Sequence, residues 1–251
     1  LGFHTSSMSA MNREGLTVNL HAHYGKNVSG SGKFVTFISD EIMSNARTLD
    51  EAIHIIKKYK RIGNWAFVIA SAKDSDAAII EVTHDQERIR YASESDGFLG
   101  HSNYFFDADL RKQEAFLSTV VTEDVLGRCS KITDLMRERS GTLEMTDLAI
   151  AMADLTDPFT GQKEVSGNTV AAITTVASMV FSPDTQELMV SARNESPTSL
   201  GPYLQFSVDR FWDSNNSAIK TIEIQDEGNE ISSRSLVKSI HEYRNAYRAW
   251  H

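Results

Sequence analysis

Several things are scarce in this chain, and each scarcity narrows what it can be. Cysteine occurs once, at Cys129, so no disulfide can close within the chain. That fits a reducing compartment, with the cytoplasm favoured. Proline occurs four times and no low-complexity tract is present, which leaves little room for a disordered linker. One domain over residues 1–251 is the expectation. No apolar run approaches the ~18 residues that would span a bilayer. Positive charge is in deficit: the formal net charge is −9 and the pI near 5.4, which argues against a nucleic-acid or anionic-membrane partner. There is no P-loop, GxGxxG, GxSxG or HExxH, and nothing calls for a cofactor.

What remains is an ordinary globular composition, 41% hydrophobic and 24% charged, long enough to bury a sizeable core. Met11-Asn12-Arg13-Glu14-Gly15 is turn chemistry, with Asn12 and Gly15 suited to positive φ. Leu16 to His23 then alternates. Leu16, Val18, Leu20 and Ala22 share one face, and Thr17, Asn19, His21 and His23 share the other. Residues 34–46 have a helical pattern. A second helix starts at Thr48, with Glu51 as its capping-box partner and a stripe of Leu49, Ala52, Ile53, Ile56 and Tyr59. Lys57, Lys58, Lys60 and Arg61 read as cations at its C-terminus.

Three strands over 65–72, 77–84 and 88–92 are joined by turns too short for anything but antiparallel pairing. The first is apolar on both faces, so the sheet should be covered on both sides. Glu81 inside the second must then sit at an edge or be paired. Helical patterns return over 109–139, with Thr122 as cap, and over 143–155. A β-branched run over 169–181 and residues 187–192 suggest a hairpin, followed by strands over 203–208 and 220–224. An amphipathic helix over 235–250 closes the chain. Strand, helices, antiparallel strands, helices, antiparallel strands, helix is an α+β order. Two antiparallel sheets stacked face to face and covered by helices would account for the apolar strand faces.

Three places could carry chemistry. Gly97 to Asp107, GFLGHSNYFFD, holds His101, Ser102 and Asn103 between a turn and three aromatics, where an aimed asparagine amide could stabilise an oxyanion. His21 and His23 form an HxH pair on one strand face. Without a clear third ligand, they read as pocket or surface histidines rather than metal ligands. Cys129 lies on a helical apolar stripe and reads as a small core hydrophobe, not a nucleophile.

Three segments together resemble the acyl-coenzyme A:6-aminopenicillanic acid acyltransferase family, relatives of the choloylglycine hydrolases among the N-terminal-nucleophile hydrolases. Met11-Asn12-Arg13-Glu14-Gly15-Leu16-Thr17-Val18 is similar to its MNxxGL turn and strand. Trp65 to Glu81, followed by His101-Ser102-Asn103-Tyr104-Phe105, is similar to the strands and HTNHF-type segment. Thr174 to Phe181, Glu187 to Ala192 and the Pro197 loop are similar to its late hairpin. The resemblance covers roughly Gly2 to Val208. It implies an αββα four-layer sandwich that cleaves or transfers at a linear amide. An N-terminal cysteine, freed by self-cleavage, would attack the carbonyl while its α-amine relays the proton. Asn103 matches the oxyanion asparagine, and His21, His23 and His101 are the substrate-binding candidates.

Leu1 is no nucleophile, Cys129 is in a different context, and no basic residue stands just before Thr174. The chain opens without an initiator Met or a signal-peptide pattern. The expectation is therefore that processing or truncation removed a segment carrying the nucleophile and the first strands. Two functions stay open: an amide hydrolase or acyltransferase completed by that segment, or a non-catalytic ligand-binding relative. Either would take a small-molecule amide or acyl compound, and a homo-oligomer is left open.

Overall fold

In a strand, side chains alternate between the two faces of the sheet, and residues 16–23 alternate from end to end. In the computed structural model they form strand β2 (Leu16–His23), preceded by β1 (Ser9–Met11). The structure describes residues 8–115, 118–164, 168–194, 196–208 and 219–224, with Glu242 and Asn245. Strands β3 (Asn64–Ser71), β4 (Asp76–Val82) and β5 (Glu87–Tyr91) follow, and the five form one antiparallel sheet in chain order.

The apolar face of that sheet buries Leu16, Val18, Phe67, Ile69 and Ile80 against two helices, α1 (Val35–Asn45) and α2 (Leu49–Lys57). The α2 stripe expected from spacing is buried at Leu49, Ala52, Ile53 and Ile56. Thr48 caps it by accepting from the Glu51 N–H, but the Glu51 carboxylate reaches the Arg47 N–H, one residue earlier than a capping box requires. Arg61, expected among the helix-end cations, is instead buried past the end of α2. Its guanidinium donates to the carbonyls of Tyr59, Thr83 and Gln86 and pairs with Glu87, stapling α2 to the β4–β5 turn.

Of the two turn residues expected at positive φ, only Gly15 has it, at +73°. Asn12 uses its side chain. Oδ1 accepts from the Glu14 and Leu16 N–H groups, and Nδ2 donates to the carbonyls of Met43 and Ala46 at the end of α1.

The helical pattern over 109–139 is broken in two, α3 (Ala108–Arg111) and α4 (Thr119–Glu138), and α4 is capped by Ser118 rather than Thr122. The break follows from Glu114. Its carboxylate is buried against the Phe105 N–H and its backbone bridges to Gly25, so it cannot continue a helix. Next comes α5 (Met145–Met152), closed at its start by a capping box between Glu144 and Asp147.

The long strand expected over 169–181 shrinks to β6 (Met179–Ser182). Upstream of it, hydroxyls take the backbone groups a ladder would need. Thr175 Oγ1 accepts from the Ala172 N–H, and Ser196 Oγ donates to the carbonyls of Ile173 and Thr175. With β7 (Glu187–Ser191), β8 (Tyr203–Ser207) and β9 (Lys220–Ile222) it forms a second antiparallel sheet. Helix α5 packs on this sheet, where Ala149 meets Val180, Met189 and Tyr203. Helix expected over 235–250 lies outside the described residues apart from Glu242 and Asn245, which are helical.

The fold is thus an α+β sandwich of two antiparallel sheets with helices on each, as the αββα expectation requires. The sheets meet at their turns. Gln186 donates to the Arg13 carbonyl, and Gly15 lies so close to the Pro183 carbonyl that a Cβ there would come within 2.9 Å of its oxygen. Among the described residues no helix is long and apolar enough to cross a membrane.

Candidate functional site

The second face of the five-stranded sheet carries the polar side chains. Register places His21 opposite Ala66, Ala66 opposite Glu81, and Glu81 opposite Arg88, one row across four strands. His23 stands opposite Asn64 in the next row on this face. Ala66 offers only a methyl between His21 and Glu81, which leaves room above the sheet for a ring from elsewhere.

That ring comes from the loop after β5. His101 packs edge-on to His21 with centroids 5.3 Å apart and stacks on His23 at 5.1 Å. Phe105 closes the other side of His23 at 4.4 Å. The loop is held by buried carboxylates. Glu81 accepts from the N–H groups of Phe106 and Asp107, at 2.6 and 2.9 Å, and Glu114 accepts from Phe105 at 2.8 Å. Ser102 is buried and donates to the Val125 carbonyl of α4. His101, Ser102 and Phe105 are therefore each tied to a different part of the fold.

Asn103 is held at both ends of its amide. Nδ2 donates to the Ala22 carbonyl at 3.0 Å, and Oδ1 accepts from the Arg128 guanidinium at 3.4 Å. Arg128 is itself fixed by Asp124 one helical turn back, at 2.9 Å. An amide nitrogen has two hydrogens. One is used on Ala22, and the other has no partner among the described residues.

Burial sets the charge of the cluster. It pushes the imidazoles of His21, His23 and His101 down to about 4, 3 and 2, helped at His21 by the positive Arg128. All three rings are neutral at pH 7. The Nε2 atoms of His23 and His101 face each other at 3.0 Å, so one must donate and the other accept, and the Nδ1 atom of each ring is buried without a partner among the described residues. Glu81 is raised by burial, with its two backbone donors and Arg90 acting against that shift.

All four residues singled out from the sequence, His21, His23, His101 and Asn103, thus lie in one neighbourhood. Cys129 is separate: it is buried on α4 behind Gly100, its thiol pushed up by desolvation. Glu81 and Arg128 were missed as members of this neighbourhood. The available signal for Glu81 was a lone carboxylate inside a strand otherwise buried on both faces. Arg128 carried none, because its role depends on where α4 lands.

The model of the family described as acyl-coenzyme A:6-aminopenicillanic acid acyl-transferase matches residues 3–196. The chain belongs to this family. The matched span takes in the whole five-stranded sheet, helices α1 to α5, the β6–β7 hairpin, the histidine cluster and Asn103. No curated protein gives a match to the chain. A cleft of about 640 Å³ lies between residues 10–14, residues 43–47 and Val208, and it shares no residue with the histidine–asparagine neighbourhood.

Proposed function

We propose that this chain carries the oxyanion side of an acyl-transfer site that acts on a linear amide C–N bond. The nucleophile would come from sequence preceding Leu1 in the full-length protein. The observation that supports this most is the amide of Asn103, anchored on Ala22 and Arg128 with one N–H left over. A carbonyl placed before that N–H would develop negative charge on its oxygen as a nucleophile adds. A donor already held in place stabilises that charge without reorganising. The Arg128 guanidinium at Oδ1 draws electron density from the amide and strengthens the remaining donor.

The reading needs an outside nucleophile because the one cysteine of the chain is buried and its thiol raised. In this reading an N-terminal cysteine adds to the carbonyl, its α-amine takes the thiol proton and passes it to the leaving amine, and water or a second amine then takes the acyl group. The neutral rings of His21, His23 and His101 form the wall beside the acyl group. The substrate is a small amide or acyl compound, without nucleic acid or membrane.

The test uses the full-length protein. Asn103→Ala should lower kcat by about 10²–10³, roughly 3 kcal/mol of barrier, with the fold intact by circular dichroism. An unchanged rate removes Asn103 from the site. Ligand binding without release of an amine would favour instead the non-catalytic relative.

A further inference from the structure

We propose that His23, His101 and Glu81 form a binding site for a divalent transition-metal ion of the zinc class, clamping the loop that carries Asn103 onto strands β2 and β4. The three ligand atoms, one from each side chain, lie within 4.8 Å of one another. His23 is 6% exposed and Glu81 1%. The Nε2 atoms of the two histidines are 3.0 Å apart, and two imidazole nitrogens on one tetrahedral zinc are about 3.3 Å apart at ordinary Zn–N lengths. A shift of a few tenths of an ångström would suit the two nitrogens, and the Glu81 carboxylate, within 4.8 Å of them, would close in on the ion. The ligands come from two strands and one loop, so the ion would join segments far apart in the chain.

A second observation points the same way. Without a metal, the two Nε2 atoms face each other and share one proton. An ion in place of the shared proton satisfies both Nε2 atoms at once. Glu81 already holds its carboxylate in place with two backbone N–H bonds, the outer support that metal ligands ordinarily have. Arg90, close enough to disfavour charge on His101, opposes any cation and weakens the site without removing a ligand. Three protein ligands leave the fourth tetrahedral position to water. This proposal does not rest on the acyl-transfer reading, because metal stoichiometry is measured without turnover.

The experiment takes untagged full-length protein, stripped with chelator and titrated with zinc or cobalt(II) chloride. One equivalent should bind, cobalt should give the visible absorption of a tetrahedral site, and the melting temperature should rise. His101→Ala and Glu81→Gln should each weaken binding more than about 100-fold, whereas His21→Ala, one ring outside the set, should keep the stoichiometry. Absence of saturable binding, or binding that survives His101→Ala, overturns the proposal. X-ray absorption of the zinc-loaded wild type answers without any variant: two imidazoles and oxygen are expected, and a shell of oxygen alone refutes it.

Discussion

Lowering the pH from 7.5 to 5 should loosen this fold, and the three histidines set by how much. His21, His23 and His101 titrate in the folded protein at about 4, 3 and 2, against an ordinary value of 6.5. Below pH 6.5 the unfolded chain takes up a proton at each ring and the folded chain does not. The unfolded state therefore binds more protons, and stability falls as the pH falls. Each proton is worth about 1.4 kcal/mol per pH unit, so from pH 7.5 to 5 each ring removes about 2 kcal/mol. That figure hardly depends on whether a ring titrates at 4 or at 2, because both lie well below 5.

Three rings together would remove a large part of a typical 5–15 kcal/mol. Glu81 and Glu114, raised by burial, act in the opposite sense, since the folded protein takes up their protons first. A variant separates the two effects. Urea unfolding of wild type and His101→Gln at pH 7.5 and 5, with chelator present, should show about 2 kcal/mol less pH dependence in the variant. Equal pH dependence in both would refute the buried neutral state of His101.

Gly15→Ala should destabilise the protein by about 2 kcal/mol or more in urea unfolding, because φ there is +73° and the new methyl would meet Ala72 Cβ at 2.8 Å and the Pro183 carbonyl oxygen at 2.9 Å. A loss below about 0.5 kcal/mol would mean that the two turns are not in contact. Cys129 should resist a thiol reagent in native buffer and react fully in urea, since it is 7% exposed with a raised thiol. Rapid native labelling would place it at the surface.

Periodicity and turn length by themselves determined the β3–β4–β5 meander. Turns too short for crossovers leave antiparallel neighbours as the only pairing for β3 to β5, and alternation marks β2 as a strand; that β2 pairs with β3, across residues 24–63 and two helices, belongs to the fold. The buried stripe of α2 was equally plain, because burial at helical spacing is a local property. The 169–178 segment was misread for a physical reason: β-branched residues favour strands, but their hydroxyls and a serine twenty residues on took the backbone groups first. The 109–139 helix broke because Glu114 is drawn to the Phe105 N–H, a contact no local pattern contains.

The site divides in the same way. His21 and His23 share a face by strand alternation alone, and the HSNYF loop could be singled out by its composition. Only the folded chain brings His101 against His21 and His23, aims Glu81 at the loop amides, and sets Arg128 against Asn103. These residues are separated by tens of positions and meet because sheet register and the landing of α4 put them together. A neutral histidine and a raised carboxylate are consequences of burial, and burial belongs to the whole fold rather than to any stretch of sequence.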